Sequence, residues 1–235
     1  MHVLLSQTNL QLYSQMRQAG LPIEAIQQVQ KDYETACLLF APLCRSTGRP
    51  FLCHAVGTAS AALNEGAELL DIRAALLHAA YKHGRFPDHK KKKTPAHAAW
   101  LKQRCGTELA DLLATFSQFS FSAGNVEGYI QGDDVLQGLT RRLILLRLAN
   151  DVDDSHAFGA ALGHKSRYQD PMWLNARLKL SNKLGFSFFA AAFTQILKEC
   201  DDADWLDTTT VFQRRGIIRS IPGQLVGMLN GKGYC

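Results

Sequence analysis

The chain is poor in the patterns by which several function classes announce themselves. Its six cysteines include no CxxC and form no regular framework, so neither a disulfide scaffold nor a cysteine-based motif is indicated. Cys37, Cys44 and Cys53 fall in apolar segments and read as small buried hydrophobes in a reduced, cytoplasmic protein. No charged-then-apolar leader opens the sequence, and no apolar run approaches the roughly 18 to 20 residues of a membrane span. The expected setting is therefore soluble, without a membrane partner. No GxxxxGK[ST] loop, GxGxxG turn, HExxH helix or GxSxG elbow occurs. Sustained period-two alternation between hairpin turns is also missing, which argues against a sheet.

Charge of one sign is scarce as well. The formal net charge is +5, and Lys90 to Lys93 supply four of those charges in one run. Outside that run the chain is close to neutral, so no nucleic-acid footprint is expected, and the run itself reads as a solvated loop. Apolar residues make up 46 % and charged residues 20 % of the 235 positions, enough for a proper core.

Helical periodicity fills most of the sequence. Leu10, Tyr13 and Met16 space a first helix over residues 6 to 19. Pro22 opens a second, from Ile23 to about Leu43, with Ile26, Val29, Tyr33, Cys37 and Phe40 on one stripe. Gly48 and Pro50 make the stretch from Arg45 a loop, and two helices over about 54 to 64 and 68 to 82 follow. Thr94-Pro95 caps a helix that Gly106 ends, and Leu109, Leu112, Leu113 and Phe116 mark the next. Ser117 to Gly132 reads as loop; Asp133-Asp134 open a helix to Asp151, with acids where the helix dipole favours them. Trp173 to about Cys200 is apolar on several sides, with a break expected near Gly185, and Trp205 to Leu229 reads as two short helices. The apolar residues Phe186, Phe188, Phe189, Phe193 and Ile196 either complete the core or form a homodimer surface. The reading is all-α, one domain over 1–235, with a core at about 22–154 and a C-terminal helical extension at about 170–235.

Chemistry concentrates in RSTGRPFLCHAVGTASAALNEGAELLDIRAALLHAAY, residues 45 to 81. His54 begins one helix of a predicted hairpin and His78, 24 positions later, ends the other, so antiparallel packing brings the two imidazoles to one end of the bundle. Arg45 and Arg49 flank the loop that leads into His54, and an arginine fork suits phosphate or carboxylate. Tyr81, Lys82, His83 and Arg85 follow His78 and are placed to line a site mouth, Tyr81 with a hydroxyl able to carry a proton. Asp151 stands at a helix C-terminus, where an acid is electrostatically disfavoured; it reads either as turned inward or as a solvated C-terminal acid, with the electrostatics hinting at the first. Asp153 and Asp154 read as surface charges. Cys53 precedes His54, but neighbours on a helix point about 100° apart and do not pair.

These segments resemble the HD-domain superfamily, in which a first His, a His-Asp pair and a distant Asp hold one or two metal ions in a helical bundle. The RST-GRPFL-CH approach, the 24-residue step and the helix ending LLH are similar to the hydrolase half of the ppGpp synthetase/hydrolase proteins. RLANDVDD at 147 to 154 resembles their KLADRLHN helix, with Asn150 on the aspartate position and Asp151 one residue later. The likeness covers about Tyr33 to Asp154. It departs where His78 is followed by Ala79 rather than Asp, which removes a carboxylate that ions such as Mn²⁺ or Mg²⁺ prefer. The run HAAYKHGRF is closer to an uncharacterised bacterial HD-like family reading H-S-x-Y-G-T-x-x-F, which also lacks that Asp; Lys82-His83 stand where it has Gly-Thr. Extra histidines fill ligand positions in HD-type oxygenases, which draws attention to His89 and His97, but without the Asp no two-iron site is expected.

The resemblance implies an HD-like helical bundle with extra C-terminal helices and a degenerate metal motif. His54, His78 and Asp151 would hold one divalent metal (Mn, Fe or Zn), or act with no metal. His54, His78, Tyr81 and Asp151 are the expected catalytic set; Arg45, Arg49, Lys82 and Arg85 would bind a small anionic or phosphorylated metabolite. The alternative is a catalytically inactive scaffold that serves as a ligand-binding or protein-interaction module.

Overall fold

The computed structural model describes residues 4–45, 49–88, 93–132, 136–157 and 170–201. Every regular element among these residues is a helix, and the one β-bridge among them joins Cys44 to Pro50. In chain order the helices are α1 (Asn9–Gln18), α2 (Ile23–Phe40), α3 (Phe51–Asn64), α4 (Leu69–Leu77), the single turn α5 (Ala80–His83), α6 (Pro95–Cys105), α7 (Thr107–Gln118), α8 (Ala123–Gln131), α9 (Gly138–Ser155), α10 (Pro171–Lys183) and α11 (Ser187–Asp201). No helix of the described residues is long and apolar enough to cross a membrane.

The bundle is organised around α3. Its sequence, FLCHAVGTASAALN, is rich in small residues, and Ala55, Gly57, Ala59, Ser60, Ala61 and Ala62 are all buried. A helix that is apolar or small on every side can be surrounded, and α1, α2, α4 and α9 all pack on this one. The turn between α3 and α4 uses Gly66 at φ +75°, a left-handed conformation that costs glycine little. The expected helical hairpin is therefore present. At its far side Glu65 Oε2 accepts the backbone N–H of Phe189 at 2.8 Å, satisfying one of the orphan donors at the start of α11.

Several boundaries differ from the sequence reading. The stretch 68–82 is not one helix: α4 stops at Leu77, Ala79 takes φ −92° and ψ 4°, and α5 restarts at Ala80, so His78 sits at a break. Ser117 to Gly132 is not all loop, because Ser122 and Asn125 form a reciprocal capping box that opens α8 despite Gly124 and Gly128. The helix expected from Asp133-Asp134 begins, among the described residues, at Gly138; 133–135 lie outside them. Thr94 caps α6 as expected, its hydroxyl accepting His97 N–H at 3.2 Å. The break near Gly185, at φ +69°, separates α10 from α11. Phe186, Phe189, Phe193 and Ile196 complete the core of this chain, while Phe188 is half-buried. Cysteine burial needs correction: Cys44 is exposed on the loop before α3 and Cys37 and Cys53 are half-buried, because none of them lies on the inner stripe of its segment. The segments around His89, Lys90 to Lys92 and Trp205 to Leu229 lie outside the described residues.

Candidate functional site

The loop before α3 closes on itself. Arg45 N–H donates to Arg49 O at 2.8 Å and Phe51 N–H to Leu43 O at 2.9 Å, which sends both arginine side chains toward the C-terminal turn of α9. There Arg49 grips the Asp153 carboxylate with both Nη atoms, at 2.9 and 2.8 Å, and also reaches Gln7 Oε1 and the Cys53 carbonyl. Arg45 pairs with Asp154. A bidentate fork of this kind is the strongest geometry a guanidinium offers.

One turn into α3, His54 lies fully buried with Nδ1 2.6 Å from Asp153 Oδ2 and 3.5 Å from Asp154 Oδ1. Its other nitrogen, Nε2, lies 3.3 Å from Nε2 of His78, the rings meeting edge to face. His78 Nδ1 lies 2.8 Å from the Ala75 carbonyl oxygen. The helix break after Leu77 is what lets His78 turn back onto that carbonyl. Phe51 and Phe116 close the pair, their rings set edge to face against the imidazoles at 5.2 and 6.0 Å between centroids.

Burial sets the electrostatics. Burial alone would raise the Asp153 carboxyl, but the bonds and charges of His54 and Arg49 outweigh it and hold the group below its ordinary value. Burial pushes His78 down to about 3, and the neighbouring His54 adds to the shift. Hydrogen-bond accounting then assigns the protons. A carbonyl cannot donate, so His78 Nδ1 donates to Ala75 O and its Nε2 is a lone pair. Ionised Asp153 cannot donate either, so His54 Nδ1 donates to it. The two Nε2 atoms face each other at 3.3 Å, a contact that a shared proton or a cation between them would satisfy. The result is a chain of contacts, Asp153–His54–His78.

Access to this depth requires Gly57. A Cβ there would stand 1.7 Å from Asp153 Oδ1, so only glycine allows α9 to bring the carboxylate down between Arg49 and His54. His156, just past α9, interacts with Asp153, Arg49 and Glu199; burial lowers its pKa.

The structure joins His54 and His78 as expected and adds Arg45 and Arg49, but with their forks turned onto protein carboxylates. Asp153, expected at the surface, is 2 % exposed, and Asp154 is covered by Arg45. The correction has a simple cause: α9 turns a second face, carrying Leu146, Ala149 and Asp153, into the bundle. Asp151 is also buried and pairs with Arg177, whose Nε lies 3.3 Å from its Oδ2. Arg177 itself lies over the Trp173 ring at 3.9 Å. Asn150 Nδ2 donates to Asp151 Oδ1 at 3.3 Å. Tyr81 is 8 % exposed, packs on Phe86 at 6.2 Å under the Lys93 ammonium, and its hydroxyl has no partner among the described residues. Lys82 and Arg85 are exposed. His97 stacks on Phe86 at 3.8 Å and pairs with Asp88, in a setting that belongs to α6.

The donor set does not fit the carboxylate-rich metal that the resemblance implies. Among the described residues, the atoms that converge between the two rings are the Nε2 pair. Asp153 and Asp154 stand on the opposite, Nδ1 side of the His54 ring, Asp151 is turned to Arg177, and position 79 is alanine. Two imidazoles without an oxygen ligand hold hard divalent ions poorly. No protein-family model matches the chain, and no curated protein matches it significantly.

Proposed function

We propose that the chain is an HD-like cytoplasmic enzyme that acts on a small anionic or phosphorylated metabolite by metal-free acid–base chemistry. The observation that carries this reading is the 3.3 Å Nε2–Nε2 contact with both Nδ1 atoms already committed. The pair is thereby arranged around one labile proton. Asp153 fixes the His54 ring and balances its charge, as a carboxylate does behind a catalytic imidazole. His78, a weak base in this setting, holds the proton without removing it. An oxyanion more basic than His78 would compete for the Nε2 proton of His54, and the proton would return when product leaves. His78, 8 % exposed, lies nearer solvent than fully buried His54 and is the side from which substrate would arrive.

A test is a screen of phosphate esters and other small anions with chelator-treated protein, run beside His78→Gln and Asp153→Asn. A turnover retained with chelator and lowered about 10²- to 10⁴-fold in both folded variants is the expected result. Activity restored only by added metal would sink the metal-free mechanism.

A second reading is an inactive scaffold that binds a ligand or protein. It is supported by the complete burial of His54, whose two ring nitrogens already have partners. Saturable binding of an anion without turnover, unchanged in His78→Gln, would favour it.

A further inference from the structure

The cluster on the Nδ1 side of His54 has the composition of a cation site. His54, Asp153 and Asp154 each offer one ligand atom, and those atoms lie within 4.8 Å of one another. A nitrogen and two carboxylates suit a divalent transition ion. Yet both carboxylates are already engaged by guanidinium groups delivered from one short loop, Arg49 on Asp153 and Arg45 on Asp154.

We propose that Arg45 and Arg49 are internal cations that occupy the place of a metal ion, so that their guanidiniums keep the His54–Asp153–Asp154 set closed to divalent cations. Two guanidiniums together carry the same +2 as one divalent ion. Guanidinium stays protonated at all physiological pH, so this substitute is always present. It also cannot diffuse away, because the loop is closed by the Arg45–Arg49 backbone bond and the Cys44–Pro50 bridge. A metal ion arriving beside the two arginines would meet like charge in a largely dry setting, since the side chains of His54 and Asp153 are 0 % exposed. It would also have to displace the proton on His54 Nδ1. The inference rests on the metal-free reading of the imidazole pair but concerns the opposite side of the ring, and its failure is separable.

The experiment is a titration with cobalt(II) chloride alone, read by visible absorption and equilibrium dialysis, on the parent and on Arg45→Gln/Arg49→Gln. Glutamine removes the charge and keeps an amide that can still donate to the carboxylate. The expected result is one cobalt per chain in the double variant, at least about 100-fold tighter than in the parent, from relief of like-charge repulsion. Adding Asp153→Asn to the double variant should abolish the gain. A folded double variant that binds cobalt no better than the parent overturns the proposal. So that the outcome does not depend on the variants folding, ¹⁵N-histidine spectra of the parent are recorded with millimolar zinc chloride. An unchanged His54 Nδ1 resonance is expected, and a metal-bound shift there overturns the proposal. Cobalt that binds the parent and is lost in His78→Gln but not in Asp153→Asn would defeat the metal-free acid–base reading. It would support the present one, since the ion would have avoided the acids.

Discussion

Two carboxylates in this protein are buried to the same degree and held in the same way, yet they are pushed in opposite directions. Asp32 on α2 is 1 % exposed and takes a two-point grip from Arg73, with Nε at 2.6 Å and Nη2 at 3.3 Å. Asp153 on α9 is 2 % exposed and takes a two-point grip from Arg49. Burial raises the Asp32 carboxyl and one arginine does not reverse it, whereas Asp153 ends below its ordinary value because His54 joins the arginine. The other bonds of Arg73 end on the Cys105 carbonyl and Gln28, groups that do not titrate. Arg49 likewise reaches Gln7 and the Cys53 carbonyl, but Asp153 itself also meets an imidazole, which in turn lies against a second imidazole. The difference teaches that a buried ion pair is not by itself a site. What distinguishes the α9 centre is a chain of groups whose protons can move.

The largest expected effect comes from removing each acid. Asp32→Ala and Asp153→Ala should each lose about 2 to 4 kcal/mol in urea unfolding at pH 7, because each leaves a half-buried guanidinium without its carboxylate. Their pH dependence should differ. A raised Asp32 favours the fold at low pH and loses that contribution as pH rises through its folded value; a lowered Asp153 contributes above its unfolded value and loses it as pH falls. Asp32→Asn should therefore weaken the parent less at pH 7 than at pH 4, and Asp153→Asn the reverse. Matching pH profiles would erase the distinction.

His78 sharpens the comparison from the other end of the chain of imidazoles. Its folded value of about 3 lies below its ordinary 6.5, so the unfolded chain takes up a proton first as pH falls. Stability should be complete above about 6.5 and decline between 6.5 and 3, by at most on the order of 5 kcal/mol. His78→Gln keeps an acceptor for His54 and removes the titration, so thermal melting of the variant should show a flatter acid limb. A limb of unchanged slope would mean that another group carries it.

The smallest effect concerns backbone space. Gly57→Ala must displace Asp153, and a cost of about 2 to 3 kcal/mol is expected in denaturant unfolding. Gly66→Ala, at φ +75° with nothing near its Cβ, should cost about 1 kcal/mol through strain alone. Equal costs would mean that α9 can retreat from α3 without penalty.

Much of the fold is legible in local sequence patterns. The stripe of α7, the Ile26–Val29–Phe40 part of the α2 stripe, the Thr94 cap, the glycine turn of the α3–α4 hairpin and the break near Gly185 all follow from periodicity and turn chemistry within a few residues. The break at His78 does not, because Leu77, Ala79 and Ala80 are good helix formers. α8 is hidden by its two glycines, although the Ser122–Asn125 pair is a cap signal.

In the site, the pairing of His54 with His78 follows from spacing alone, since a hairpin of two helices with a known turn fixes which ends meet. The choice between Asp151 and Asp153 cannot come that way. Asp151 shares a helical face with Ile144 and Leu148, and Asp153 shares one with Leu146 and Ala149; both faces are apolar and both are buried. When a helix is covered on nearly every side, its sequence says that an acid is interior but not which neighbour it meets. The sequence by itself determined most of the helices, their order and the two imidazoles at one bundle end, features set largely by patterns near in the chain. Only the tertiary structure decided that Asp153 meets His54 and that two arginines, 104 and 109 residues from their partners, close over it. Those choices rest on how closely α9 can approach α3 over Gly57, a distance set by packing and not by any local pattern.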